Sequence, residues 1–190
     1  MVMHTVGLVR SVLTLPHEAG QYSLGASKQT LRRKVRQATR LGVRWAEVND
    51  PQERQRLVKL AEEYVRAHPD ATYRNANPDT SDLLSYGLWL AAYSAEGHPL
   101  LLSVTPIDGE IALLRYFRTI GGGEEQSNAR YLMTEVLVEH LVNRGARYLV
   151  DGLFPAWLPN GLRHYQRMVG FRIVRLRFGP DAGRVKERSQ

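Results

Sequence analysis

EGHPLLLSVTPIDGEIALLRYFRTI, residues 96–120, sets two apolar, β-rich runs on either side of the dipeptide Asp108-Gly109. Asp-Gly favours a tight hairpin turn, because both positions accept the left-handed backbone that such a turn needs. Residues 100–105 and 110–119 are therefore expected as adjacent antiparallel strands. Gly121 to Gly123 end the second one. From about Ser127 to Asn143 the period changes: Leu132, Met133, Val136, Leu137, Leu141 and Val142 cover almost half the circumference of a helix, and Gly145 closes it. So apolar a helix has to be buried. RYLVDGLF at 147–154 then reads as a strand, LRHYQRMV at 162–169 as a short helix and FRIVRLRF at 171–178 as an alternating strand.

Upstream of the hairpin, MVMHTVGLVRSVLTLP is mildly apolar, but Arg10 interrupts it and no long apolar core follows. It reads as a first strand, with neither signal peptide nor membrane span. SKQTLRRKVRQATRLGV at 27–43 is a helix whose Ser27 is suited to cap its start and whose Gly42 is suited to close it. PQERQRLVKLAEEYVRAH at 51–68 is a second helix opened by Pro51. HPDATYRNANPDTSD is a loop, and Leu83 to Tyr93, with Leu84, Leu88, Trp89 and Ala92 at helical spacing, is expected as a third helix. The pattern implies an α/β fold: one domain over 1–178 with a mixed, mostly antiparallel central sheet flanked by helices, and a flexible basic tail over 179–190.

The chain has 190 residues, no cysteine and a net charge of +7. The missing thiols exclude disulfides, a thiolate zinc site and a cysteine nucleophile, and fit a cytoplasmic protein. The positive charge favours a polyanionic partner such as RNA, a phosphorylated cofactor or an anionic membrane. Much of it is local. Six Lys or Arg residues lie between Lys28 and Arg40 without an acid among them. On a helical wheel Arg32, Arg33, Arg36 and Arg40 share one arc, opposite Leu31, Val35, Ala38 and Leu41. The stripe is either a solvated face or a phosphate-binding face. The absence of balancing glutamates at i+4 favours the second.

The succession of hairpin, apolar helix, strand, short helix ending in Gly170-Phe171, and strand resembles the GNAT acyltransferase fold. SKQTLRRKVRQATRLGV is similar to the Arg-rich segment of its Fem-like branch, in which a serine and several arginines precede a helix ending in Gly-Val. LRHYQRMVGF resembles the ending of Fem-like proteins, an aromatic residue five before glycine: here Tyr165 before Gly170, with Gln166 where ordinary acetyltransferases usually carry a tyrosine. That resemblance implies transfer of an acyl or aminoacyl group, from aminoacyl-tRNA or acyl-CoA, to an amine. No tightly bound cofactor is expected. The loop GGGEEQSNARYLM departs from the glycine-spaced loop that binds coenzyme A, since its glycines come early and Glu124 and Glu125 stand where phosphates would sit. A helix start at Ser127, Asn128 and Ala129, assisted by Arg130, remains able to hold an anion.

Aminolysis needs a neutral amine, a stabilised oxyanion and a protonated leaving group. Asp151, directly after the apolar run RYLV, is a candidate proton acceptor or merely a turn former before Gly152. His164 is a candidate base or a surface histidine. Tyr165 either donates to the leaving atom or packs. Trp157, in the proline-flanked FPAWLPNG loop, lines an acceptor pocket, clamps a base or anchors the loop. No paired histidine spacing suggests a metal site. The rival to an enzyme is a non-catalytic RNA- or tRNA-binding module on the same fold, and the sequence leaves the oligomeric state open.

Overall fold

The computed structural model describes residues 6–178, so the tail expected at 179–190 lies outside the described residues. Its strands are β1 (Val6–Thr14), β2 (Arg44–Glu47), β3 (Leu88–Tyr93), β4 (Pro99–Thr105), β5 (Ile107–Asp108), β6 (Ile111–Leu114), β7 (Tyr116–Thr119), β8 (Tyr148–Asp151) and β9 (Arg172–Phe178). Its helices are α1 (Gln29–Arg40), α2 (Pro51–Arg66), α3 (Glu124–Asn143) and α4 (Asn160–Val169). The strands form two sheets, ordered β5-β6-β8-β1-β9 and β2-β3-β4-β7. Among the described residues every pairing is antiparallel except β6 with β8.

The expected hairpin is present in a divided form. Asp108 pairs with Ile111 around the Asp-Gly turn, while Leu101 to Val104 of β4 pair with Thr119 to Tyr116 of β7. The run 110–119 is thus not one strand. β6 stays with β8 in the first sheet and β7 joins β4 in the second, and the break falls at Arg115. That side chain is drawn aside by Asp82 and Asp79, at 2.7 and 2.9 Å. The single central sheet expected from sequence is corrected to two sheets that share this chain segment and diverge at Arg115.

The third helix expected over Leu83–Tyr93 is also corrected. Only a 3-10 turn forms, at Leu83–Ser85, and the rest is strand β3. Leu88, Leu90 and Ala92 enter one core with α1 and α3, and Trp89 and Ala91 enter a second core with Leu57 and Ala61 of α2. A strand covered on both faces has no polar side, so its alternation vanishes from the sequence and chance helical spacings survive. Burying side chains as large as Trp89 and Leu90 contributes roughly 1.5–3 kcal/mol each.

The helices expected over 27–43, 51–68 and 162–169 are present, at Gln29–Arg40, Pro51–Arg66 and Asn160–Val169. Pro51 opens α2, where the Asp50 carboxylate accepts from the Gln52 N–H at 3.1 Å. Ser27 does not cap α1, since a 3-10 turn at Ala26–Lys28 leads into it and Lys28 occupies the boundary without a side-chain cap. Gly42, at φ 75°, closes that helix as expected. α3 is the buried helix of the sequence reading but begins at Glu124, about one turn early. It packs on β3 and β4 of one sheet and on α1. Lys28 and Tyr22 both donate to the carbonyl of Val169, tying the start of α1 to the end of α4. Burial pulls the Lys28 amine down to about 8.

Candidate active site

The divergence of the two sheets at Arg115 opens a cleft of about 310 Å³. Its floor is the end of β6 and all of β7, from Leu114 to Thr119; α3 contributes Arg130, Thr134 and Leu137, and α4 contributes Leu162, Tyr165 and Gln166. Asp151 enters from the last position of β8. Such a gap is a geometric necessity: a segment that leaves one sheet for another cannot stay hydrogen-bonded to both, and the loops and helix ends around the gap supply its walls.

Asp151 is buried. One carboxylate oxygen accepts from the Leu153 N–H at 2.8 Å and the other from Nε2 of Gln166. Burial raises its pKa above the ordinary carboxylate value. Those two donors and the charges of Arg10 and Arg118 pull the other way. A carboxylate placed so is a stronger base than one in water. Tyr165 lies on the same wall, its hydroxyl against that of Thr134 and its ring edge-on to Tyr131 at 5.3 Å. Burial pushes the Tyr165 hydroxyl up to about 12, against the lowering influence of Thr134 and of the Arg130 charge. It remains a proton donor at neutral pH.

Arg130 reaches over the Tyr165 ring, 5.5 Å from the centroid, and donates to Oγ1 of Thr119 at 3.4 Å. Its Nε is buried and makes no hydrogen bond among the described residues. Arg118 lies over the ring of Tyr116 at 6.0 Å. The Tyr116 hydroxyl is likewise buried without a partner among the described residues, and burial raises it to about 12. Donors left unpaired on a cleft wall are costly unless a ligand or water accepts from them, so the wall is suited to a ligand rich in oxygen atoms. Arg115 differs, because Asp79 and Asp82 neutralise it.

Of the residues singled out from sequence, Asp151, Tyr165 and Arg130 meet in this cleft. His164 does not. The α4 face toward the cleft carries Leu162, Tyr165 and Gln166, at i, i+3 and i+4, and His164 falls on the opposite, exposed side. Ser127, Asn128 and Ala129 do not form the helix start: α3 begins three residues before Ser127, whose N–H bonds to the Gly123 carbonyl at 3.1 Å, and Asn128 and Ala129 are buried. Glu124 and Glu125 occupy the first turn, where they complement the helix dipole in the place of an anion.

The basic stripe is real but shorter than the wheel implied. Arg33, Arg36 and Arg40 are exposed, whereas Arg32 is partly buried and donates to the carbonyls of Ser23 and Gly25 at 2.6 and 2.7 Å. Burial raises the Tyr131 hydroxyl, while the charges of Arg130 and then of Arg33 pull it down, so the field of the stripe reaches the ring that meets Tyr165. Gln166, Arg118, Thr134 and Tyr116 were not singled out as site residues. The signal for Gln166 was present, as the residue standing where ordinary GNAT members carry tyrosine. Trp157 does not line the cleft; it projects from its rim, 80% exposed.

The divided hairpin, the buried helix α3, strand β8, the short helix α4 ending in Gly170-Phe171, and strand β9 follow one another in the order that the motifs implied. The fold is GNAT-like. No family model matches the sequence, and no curated protein matches it. Among solved structures the fold is similar to that of L-PGS from Bacillus licheniformis, with a TM-score of 0.64 at 10% identity over 90% of this chain and 59% of that one. It is similar too to the C-terminal domain (DUF2156) of a putative lysylphosphatidylglycerol synthetase from Agrobacterium fabrum, with a TM-score of 0.64 at 14% identity over 94% and 63%. A conserved protein of unknown function from Bacteroides thetaiotaomicron gives 0.62 at 10% identity over 88% and 58%. The chain spans about three fifths of each of these structures. Among the described residues, no helix is long and apolar enough to cross a membrane.

Proposed function

We propose that this protein is an acyltransferase of the Fem-like type, moving an aminoacyl group from aminoacyl-tRNA to an amine, with acyl-CoA as the alternative donor. The observation that carries this reading is Asp151: a buried carboxylate with a raised pKa, held by Gln166 in a cleft that also contains Tyr165, Arg118 and Arg130. Asp151 takes the proton of the attacking amine as the new C–N bond forms. Arg130 offsets the negative charge that develops on the carbonyl oxygen. The carbon–oxygen bond to the donor ribose then breaks, and the Tyr165 hydroxyl supplies the proton that the leaving oxygen needs. A hydroxyl raised to about 12 suits an alkoxide leaving group, because it stays protonated until that charge appears. No covalent enzyme intermediate is required.

Arg33, Arg36 and Arg40 provide a sequence-independent hold on the donor's phosphates. Aminoacyl-tRNA is favoured over acyl-CoA by Glu124 and Glu125, which fill the first turn of α3 with negative charge. The test is transfer of radiolabelled amino acid from a panel of aminoacyl-tRNAs, and of label from acetyl-CoA, to amine acceptors. Phosphatidylglycerol, whose nucleophile is a hydroxyl, is tested beside the amines, because the name of the Agrobacterium fabrum structure joins a lysyl group to that lipid; label on that lipid alone would replace the amine as acceptor. Label moved only in the presence of Asp151 supports the reading. Salt-sensitive tRNA binding without transfer to any acceptor would establish the non-catalytic RNA-binding module instead.

A further inference from the structure

The loop that follows Asp151 has a feature that acyl transfer does not use. Trp157 is 80% exposed and Leu153 46% exposed, on the rim of the cleft. Tryptophan is among the least economical side chains to leave in water, since its large apolar surface gains most from burial. Nor does the Trp157 side chain project because the loop is loose. The backbone forms a 3-10 turn at Pro155–Trp157, with Trp157 N–H bonded to Phe154 O at 2.9 Å and Leu158 N–H to Pro155 O at 3.3 Å. Buried Pro155 and Leu158 anchor it on both sides, and the Phe154 ring meets that of Trp157 edge-on at 5.6 Å. The projecting indole is held in place before any partner arrives.

Along the chain the charge that follows it has one sign, while the loop that brings Tyr73 to Gly161 carries Asp70, which accepts from the Thr72 N–H. From Gly152 to Phe178 the sequence contains five arginines and no acidic residue. Two of them, Arg163 and Arg167, are on the exposed face of α4, which starts directly after the turn. Asp79, which also lines the cleft, is paired with Arg115. An exposed indole and an aliphatic side chain, followed by cations and no anions, match the headgroup boundary of an anionic bilayer: the apolar groups enter the acyl region and the guanidinium groups meet lipid phosphates. A single-stranded RNA would use the indole as a stacking platform but gains nothing from Leu153, which has no π face.

We propose that the Leu153–Trp157 turn and the Arg163–Arg167 face of α4 form a docking surface for an anionic membrane, which sets the mouth of the cleft against the lipid headgroups. The proposal goes beyond acyl transfer and does not depend on it, because docking is measured with neither donor nor acceptor present. The full chain is titrated with vesicles of phosphatidylcholine alone and of phosphatidylcholine mixed with phosphatidylglycerol, with co-sedimentation and tryptophan emission read together. Binding to the anionic vesicles only, weakened by salt and accompanied by a blue shift, is expected. The shift should be absent in Trp157→Phe, which keeps the apolar contact and so still binds. Leu153→Ser with Trp157→Ser should lower partitioning at least about tenfold, and Arg163→Gln and Arg167→Gln about fivefold each.

All of these positions are exposed, so unchanged thermal unfolding identifies the losses as surface effects. Three results overturn the proposal. Vesicles that do not bind remove it outright. Binding that survives the double serine variant but is lost with Arg33→Gln, Arg36→Gln and Arg40→Gln assigns the contact to α1. Emission from Trp157 that responds to an RNA minihelix and not to anionic vesicles makes the turn an RNA platform. Failure of the transfer assay with retained vesicle binding would reject the proposed chemistry and leave the docking surface standing.

Discussion

Asp151→Asn separates a catalytic carboxylate from a turn-forming one, because the structure fixes what the change does to the fold. The substitution keeps size and shape and turns one acceptor oxygen into an NH2 group. The Leu153 N–H, 2.8 Å from one oxygen, keeps its acceptor, and Gln166 recovers a bond to the new NH2 group by rotating its amide so that the oxygen faces it. The cost of losing a charge-assisted bond, about 1.5–3 kcal/mol, is offset by removing a buried charge. Stability at neutral pH should therefore change by no more than about 1 kcal/mol.

The pH dependence has a definite sign. A carboxylate raised above its ordinary 3.8 by burial binds a proton more readily in the folded chain than in the unfolded one. The contribution of Asp151 to stability is then fully present below 3.8 and is lost as pH rises toward the raised value. Thermal unfolding between acid and neutral pH should show this fall in the parent and a flatter profile in Asp151→Asn.

Activity moves the other way in the parent. The base must be deprotonated, so kcat rises with pH through the same window. Loss of a general base reduces the rate by about 10²- to 10⁴-fold, which is roughly 3–5 kcal/mol of barrier. The assay is single-turnover transfer from the aminoacyl-tRNA that the donor panel selects. A rate within about threefold of the parent, with the pH profile unchanged, would show that Asp151 only shapes the turn before Gly152.

The other expectations follow from the same geometry. Alanine at Arg33, Arg36 or Arg40 should each reduce the magnitude of the slope of log affinity against log salt for tRNA by about one, with unfolding unchanged; slopes that do not move make the stripe a solvated face. Arg32→Ala should instead lower stability by about 1–2 kcal/mol, since it frees two carbonyls that its guanidinium now satisfies, and an unaltered melting temperature contradicts this. Acetyl-CoA should bind weakly or not at all because of Glu124 and Glu125, and sub-micromolar affinity by calorimetry would overturn the donor preference. Gly170→Ala should destabilise by at least about 1–2 kcal/mol, because φ is 105° there and the new Cβ would lie 2.8 Å from Nζ of Lys28. A parent-like melting curve would refute that.

The sequence by itself determined what depends on neighbours along the chain. The amphipathic helices at 29–40 and 51–66, the Asp-Gly turn at 108–109, the apolar helix ending near Gly145 and the alternating last strand are all written in local period and turn chemistry. The basic face of α1 was legible for the same reason, apart from Arg32, whose diversion to Ser23 and Gly25 depends on how the preceding segment folds back. Asp151 and Tyr165 were legible as candidates, through their places after a strand and before Gly170.

Only the tertiary structure decided the rest. β3 is a strand because two cores cover it from opposite sides, and that double cover erases the polar alternation by which a strand is recognised. The chain parts at Arg115, whose guanidinium is held by Asp79 and Asp82, some 33 to 36 residues away in sequence. Gln166 meets Asp151 across 15 residues, and Lys28 meets Val169 across 141. Local pattern carries no information about such pairings: they arise where packed layers bring distant side chains together, and the cleft exists only because two sheets compete for one segment of chain.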